Sequence, residues 1–415
     1  MEKNRILIVT NYFFPEEFKI NDLAFDLVSK GYKIEVVTGI PNYPKGKFFR
    51  GYGFFRKNIE NYNGLKIIRL PLISRGSGSK LRLILNYISF FVSLFFYSIY
   101  LAFFKKFDVI LVHHVSPIFL GIPAVIIKKV QGIKMIFWNL DLWPEAVSHY
   151  LKSNWFNKLV TYLLNLIVNF IYENTDKLLI SSKSFKLHAT SRGYKKENIV
   201  YFPNWAEDIY ITKNISLLNT PISKFPKNAF KIMFAGNIGE GQDMNSVFKA
   251  IEYTSKIDKD IFWIFLGDGR MKSSFEKKIK VNKLEKFVKF LGRQPLNHMP
   301  AFFKNADAML LPLLDGDVYN KTVPAKLQAY MASKKPVLGM LNGEGASVIS
   351  KSKCGLVANS GNYIDLCNNI LKLKNDTNSL EKFSLNSVNY YNLHYSKNNA
   401  LKKVITIFKS FKLNC

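Results

Sequence analysis

The chain has 415 residues, 48% of them hydrophobic and 21% charged, which excludes a disordered or fibrous protein and leaves room for two or three domains. Its net charge is +29, spread as 28 Lys/Arg against 15 Asp/Glu in residues 1–210 and 31 against 15 in residues 211–415. So even an excess argues against the basic arm of a nucleic-acid binder and suits an anionic membrane surface or phosphorylated substrates. Cys354, Cys367 and Cys415 have neither paired nor metal-ligand spacing, which points to a reducing compartment. Residues 1–10 read as a charged start and a short strand, not a signal peptide, so the expectation is a cytoplasmic protein.

In chain order, residues 5–10 form a β-rich apolar run of the kind buried on both faces. Ile20, Leu23, Ala24, Leu27 and Val28 then follow helical spacing, closed by Gly31, and a second strand is expected at 34–38. This strand–helix–strand opening predicts a parallel sheet. Further strands are expected at 66–70, 108–112, 134–138, 177–181 and 199–202. The loop after the first strand lies where doubly wound sheets bind ligands, which makes Glu16 and Glu17 candidates for ligand contact, with a solvated loop an equal alternative.

Residues 81–104 are long and apolar enough to span a bilayer, with Arg82 as their one charge. However, Arg82, Asn86, Ser89, Ser93, Tyr97 and Tyr100 recur three or four apart as one weakly polar stripe. A helix with such a stripe can pack on a soluble domain or lie in a membrane interface. The strand–helix alternation resumes directly afterwards, and a span would split the sheet across the bilayer. A second aromatic-rich helix is expected at 155–172. Together the two favour peripheral contact with a membrane surface, with packing into the core as the rival reading.

Periodicity disappears between residues 209 and 231, and a second strand–helix series follows, with strands expected at 231–235, 262–266, 287–291, 307–311 and 336–339. The expected organisation is therefore an α/β fold with a domain at 1–210, a linker at 211–230 and a second domain at 231–394. A basic C-terminal helix at 395–415 is expected to pack back on the first domain. Two such domains direct attention to the space between them.

The chemistry concentrates in the second half. Phe234-Ala-Gly-Asn-Ile-Gly239, Leu266-Gly-Asp-Gly269 and Leu291-Gly-Arg293 each end a strand in a glycine turn, and small residues there let backbone N–H groups approach a phosphate. The run Val323-Pro-Ala-Lys-Leu-Gln-Ala-Tyr-Met-Ala332 reads as a helix with Pro324 in its first turn. Lys326 then lies near a helix N-terminus, which suits an anion. Asp141 and Glu145 follow the strand at 134–138. Paired carboxylates there can orient a hydroxyl or accept its proton, although Asp141 as a cap of a short helix explains them equally well.

These motifs, with Ala306-Asp-Ala-Met-Leu-Leu-Pro-Leu313 and Lys334-Lys-Pro-Val337, resemble the family 4 glycosyltransferases. The resemblance is strongest to the polysaccharide subgroup that includes the WbuB-type L-fucosamine transferases. Asn11-Tyr-Phe-Phe-Pro-Glu16, Asp141-Leu-Trp-Pro-Glu145 and Phe202-Pro-Asn-Trp205 resemble that subgroup in the first half. The resemblance implies a GT-B fold of two Rossmann-like domains facing across a cleft, retention of anomeric configuration, and no metal or cofactor beyond a UDP-sugar donor. It also implies that Gly236, Asn237 and Gly267 border the donor diphosphate, with Lys326 neutralising it; Lys321, although a departure from the family pattern, adds positive charge nearby. Arg293 would contact the base, and Gly343 and Glu344 the sugar. The acceptor would be a lipid-diphosphate-linked saccharide of O-antigen or capsule assembly, met on the inner face of a bacterial plasma membrane.

The chain also departs from the family pattern. Many relatives carry two glutamates separated by seven residues, and Lys321 and Ala329 stand at those positions. Gln328, beside the second, is the candidate replacement for the ribose contact, although it points about a third of a turn away. A non-catalytic subunit of a polysaccharide assembly complex is therefore the alternative reading. Donor sugar, linkage and oligomeric state have no signature in the sequence.

Overall fold

The computed structural model describes residues 4–148, 155–211 and 225–413. It divides into two compact units, residues 1–202 with 400–415, and residues 203–399. Most of the linker expected at 211–230 lies outside the described residues.

The first unit is built on β1 (Arg5–Thr10), β2 (Lys33–Gly39), β3 (Ile59–Tyr62), β4 (Leu65–Leu70), β5 (Val109–His114), β6 (Lys134–Asn139), β7 (Lys177–Ile180) and β8 (Ile199–Tyr201). Their order is β3-β4-β2-β1-β5-β6-β7-β8, parallel throughout except for the β3–β4 pair. The central strands bury every side chain from Ile6 to Thr10 and from Val109 to His114. This is why they read as continuous apolar runs and not as alternating ones. The chain leaves β1 to one side toward β2 and returns on the other at β5, so the β1/β5 boundary is the point where the order reverses.

The second unit has β9 (Phe230–Ala235), β10 (Ile261–Leu266), β11 (Val288–Gly292), β12 (Ala308–Pro312), β13 (Val337–Met340) and β14 (Gly355–Ala358). Their order is β11-β10-β9-β12-β13-β14, all parallel, and here the reversal falls between β9 and β12. Crevices beyond the strand C-termini at such reversals are the ligand sites of doubly wound sheets. Each unit has its own core, around Val9, Phe137 and Ile171 in the first and Phe234, Trp263 and Leu338 in the second.

The expected strands are present to within a residue or two. Absent from the expectation were β3, a four-residue polar edge strand, and the equally short β14. One correction concerns Pro324. It is the N-cap, with ψ 131°, and the helix begins after it at Ala325–Ala332.

Candidate functional site

At the C-terminal edge of the second sheet, the glycine turns lock side by side. Gly236 N donates to Leu266 O at 2.9 Å, and Gly267 N donates to Gly292 O at 2.8 Å. Gly236 has φ 135° and Gly267 φ 128°, a region that favours glycine. A Cβ on Gly267 would collide with the Gly236 carbonyl, and one on Gly236 with Lys326 Cε. Asn237 is exposed, its amide lying alongside Gly239 and Gly269.

Lys326 reaches this edge from the first turn of its helix. Its ammonium lies 4.4 Å above the Phe234 ring and donates to Gln242 Oε1. Burial lowers Lys326 from its ordinary value to about 8. An ammonium desolvated in this way gains from an incoming anion, which favours its charged form. Sequence reasoning missed Gln242. It falls 84 positions from Lys326, and only the fold brings the two together.

A second helix start adjoins the first. Gly343–Ser352 begins with Gly343 at φ 70°, and the position of a Cβ on Gly345 lies 3.2 Å from Pro324 Cδ. A Cβ on Gly343 would meet the backbone of Asn320, so the short helix Asp317–Lys321 packs over this start. Asp315 ties the corner, accepting from Asn320 Nδ2 at 2.8 Å and Asn342 Nδ2 at 2.9 Å. Glu344 lies in the first turn of the second helix, where its charge complements the dipole.

The remaining predicted residues are placed less directly. Lys321 pairs with Asp317 at 2.8 Å, an i,i+4 bridge on its own helix. Arg293 is exposed beyond β11 and makes no side-chain hydrogen bond or ion pair among the described residues. Gln328 is buried, and with its amide nitrogen turned to the backbone it donates to Ala325 O at 2.9 Å and Pro324 O at 3.0 Å. It braces its own helix start.

In the first unit, the reversal point carries a polar network. Thr10 Oγ1 donates to Tyr12 O at 3.0 Å, so at 2.9 Å it accepts from His113 Nδ1. His114 Nδ1 donates to Asn139 Oδ1 at 2.9 Å. Burial lowers His113 to about 3 and His114 to about 4, so both are neutral and structural at pH 7. Ser116 Oγ donates to Asp141 Oδ2 at 2.8 Å and accepts from Trp143 Nε1 at 3.1 Å.

The two carboxylates of that loop are driven apart. Burial raises Asp141 to about 6. Burial also opposes the charge on Glu145, but His188, at 3.2 Å, with Arg192 beyond, outweighs it and holds the carboxyl at about 2. Carboxylates separated in this way take different roles, one exchanging protons near neutrality and one staying ionised.

Glu16 and Glu17 also diverge. Glu16 is buried, its Oε1 accepting from Asn42 N at 2.8 Å and Tyr43 N at 2.7 Å, and burial raises it to about 7. It stitches the β1 loop to the β2 loop. Glu17 is exposed. Arg75, which sequence reasoning missed, donates to the Tyr12 hydroxyl at 2.9 Å and lies 5.2 Å from the Tyr43 ring centre.

A parallel-sheet unit with an anion-ready lysine, stacked glycine turns and two adjacent helix starts defines a domain suited to a nucleotide diphosphate. Residues 218–389 match the family model "Glycosyl transferases group 1", so this segment is a glycosyltransferase domain of that group. The colanic acid biosynthesis glycosyl transferase WcaI of Escherichia coli K12 is 25% identical over 337 residues, covering 79% of this chain and 81% of that protein. A glycosyltransferase from Rickettsia africae superposes with a TM-score of 0.69 at 14% identity, covering 100% of both chains. Anabaena HepE, solved with UDP-glucose, superposes at 0.65 and 13% identity, covering 98% of this chain and 99% of that one. The fold is of the GT-B class, with two Rossmann-like domains.

Proposed function

We propose that this chain transfers a sugar from a UDP-sugar to a lipid-diphosphate-linked saccharide, in the assembly of a bacterial surface polysaccharide such as O-antigen or capsule. The observation that carries this reading is Lys326, held on Phe234 by Gln242 at the mouth of the stacked glycine turns. The similarity to WcaI supports a polysaccharide role, and the UDP-glucose in HepE supports the donor class. The finer proposal is an N-acetylated amino or deoxy-amino hexose, as in the WbuB-type L-fucosamine transferases that the motifs resemble.

In this mechanism the second unit binds the donor. The leaving UDP develops negative charge, and Lys326 with the helix starts at Ala325 and Gly343 stabilises it without metal. Lys321 and Arg293 add positive charge at the rim, and Gly236, Asn237 and Gly267 admit the diphosphate. Gly343 and Glu344 meet the sugar. Gln328 holds the helix start in place, and the ribose contact made by glutamate in relatives is left to backbone groups. The first unit binds the acceptor. Asp141, with its carboxyl near 6, orients the acceptor hydroxyl, and Glu145 positions the loop through His188. Retention follows if the donor phosphate takes the acceptor proton. The enzyme works at the cytoplasmic face of the plasma membrane.

The test is direct. UDP binding is measured by calorimetry on the wild type and Lys326→Ala, and UDP release from a panel of UDP-sugars is measured with lipid-linked acceptors. Loss of one charge-assisted contact predicts at least about tenfold weaker binding in the variant. A wild type that binds no UDP and releases none would leave the non-catalytic subunit as the better reading.

A further inference from the structure

Two helices of the first unit turn apolar faces outward. On Lys80–Phe104, Asn86 is fully buried and donates to Ile73 O at 2.7 Å. Ser89 Oγ accepts from Ile73 N at 2.8 Å, and Ser93 Oγ donates to Pro71 O at 2.7 Å. The polar stripe thus faces the protein. The opposite face presents Leu81, Ile88, Val92, Phe96 and Phe103 at helical spacing, with Phe96 and Phe103 each 67% exposed.

The helix Trp155–Glu173 buries Val168, Ile171 and Tyr172 but likewise leaves an apolar face outward. Trp155 is 76% exposed, and Leu159, Tyr162, Leu166 and Phe170 continue its stripe. Both helices pack against the turn Ile118–Leu120, so both lie on one face of the sheet. A soluble surface helix shows the reverse arrangement, and contiguous apolar faces of this length mark an interface.

Charge identifies the occupant. Between residues 80 and 134 the chain carries seven Lys/Arg and a single acidic residue, Asp108; Lys128 and Lys134 pair with Asp176, which leaves Lys80, Arg82, Lys105, Lys106 and Lys129 outside that pairing. Lys105 Nζ lies 5.9 Å from the Tyr100 ring centre and Lys129 Nζ 5.4 Å from that of Phe170, so cations rim the apolar stripes. Apolar residues at the centre with Lys, Tyr and Trp at the edges match the boundary between acyl chains and anionic headgroups.

We propose that the two stripes insert together into the acyl boundary of an anionic bilayer, with both helices lying in its plane. The first helix does not span. Its inward polar groups hold residues 71–73, and Gln131 Nε2 donates to its final carbonyls at Leu101, 2.9 Å, and Lys105, 2.8 Å. A span would break these bonds. Insertion of this kind rests on the membrane-side reading above for its location but not on the transfer chemistry.

The experiment floats the full chain with phosphatidylcholine–phosphatidylglycerol vesicles, then washes in salt on the order of 1 M, where surface charge is screened to about 3 Å. Insertion predicts that binding survives the wash and that Phe96→Glu/Phe103→Glu and Trp155→Glu/Tyr162→Glu each lower the salt-resistant fraction at least about tenfold. The calorimetric transition of the first unit stays unchanged in each variant and reports its folding. Trp155 is the one exposed tryptophan, the other four being buried. Brominated acyl chains should therefore quench wild-type fluorescence and leave Trp155→Phe unaffected. Complete release by salt, absence of quenching, or lipid-free self-association abolished by the same variants would each overturn insertion. Retention after alkaline carbonate would overturn the in-plane placement. Failed sugar transfer with intact flotation would count against the enzymatic reading alone.

Discussion

At the scale of single residues, two buried ionisable groups carry distinct pH signatures. Unliganded Lys326 titrates at about 8, so it loses its ammonium as pH rises through that value. UDP is already fully ionised above about pH 7. Its affinity should therefore fall about tenfold between pH 7 and 9 in the wild type. Lys326→Arg keeps a charge that does not titrate there, and calorimetry across the same range should show weaker but flat binding. A wild-type curve as flat as the variant's would remove Lys326 from the diphosphate.

Glu16 works in the opposite sense. Burial raises it to about 7, so folding favours its protonated form. That stability is fully present below its ordinary value near 4.5 and is lost as pH rises through 7. The loss amounts to up to about 3 kcal/mol. Glu16→Gln keeps an oxygen for Asn42 N and Tyr43 N but cannot ionise. Denaturant melts at successive pH values should slope in the wild type and stay level in the variant.

At the scale of elements, Lys80–Phe104 shows why composition does not assign a helix to its environment. Its stripe of Asn and Ser was visible in the sequence, but the direction it faces was not. Direction follows from residues 71–73, whose backbone groups need partners that Asn86, Ser89 and Ser93 supply. Asn86→Leu should thus cost about 1–3 kcal/mol by leaving Ile73 O unsatisfied, measured by urea denaturation. Ile88→Ser, on the outward face, should change stability by less than about 0.5 kcal/mol in the same assay. The helix Ala325–Ala332 teaches a related point. Its existence was legible, but its start moved by one residue because Pro324 takes an extended ψ and caps it.

At the scale of the whole molecule, the chain crosses from the first unit to the second and returns for its last residues. Helix Lys397–Ser410 brings Phe408 against Tyr32 with ring centres 5.3 Å apart, and Lys403 Nζ donates to Tyr201 O at 2.9 Å. Phe408 is fully buried, so Phe408→Ala should cost about 3–5 kcal/mol, borne by the first unit. UDP should stabilise the second. Calorimetric scans are expected to show the variant shifting one transition and UDP the other. Joint shifts would mean that the two units unfold as one.

Sequence alone determined the strand–helix alternation, the two parallel sheets and the glycine turns, because buried parallel strands and tight turns restrict residue types locally. It also marked Lys326 as a phosphate candidate from its place near a helix start. Tertiary structure alone decided which groups surround that lysine, since Gln242 and Phe234 reach it from distant turns. It separated Asp141 from Glu145 by burial and by His188, set Gln328 against its own helix, and turned the polar face of Lys80–Phe104 inward. Such choices depend on desolvation and on partners remote in sequence, which no local pattern encodes.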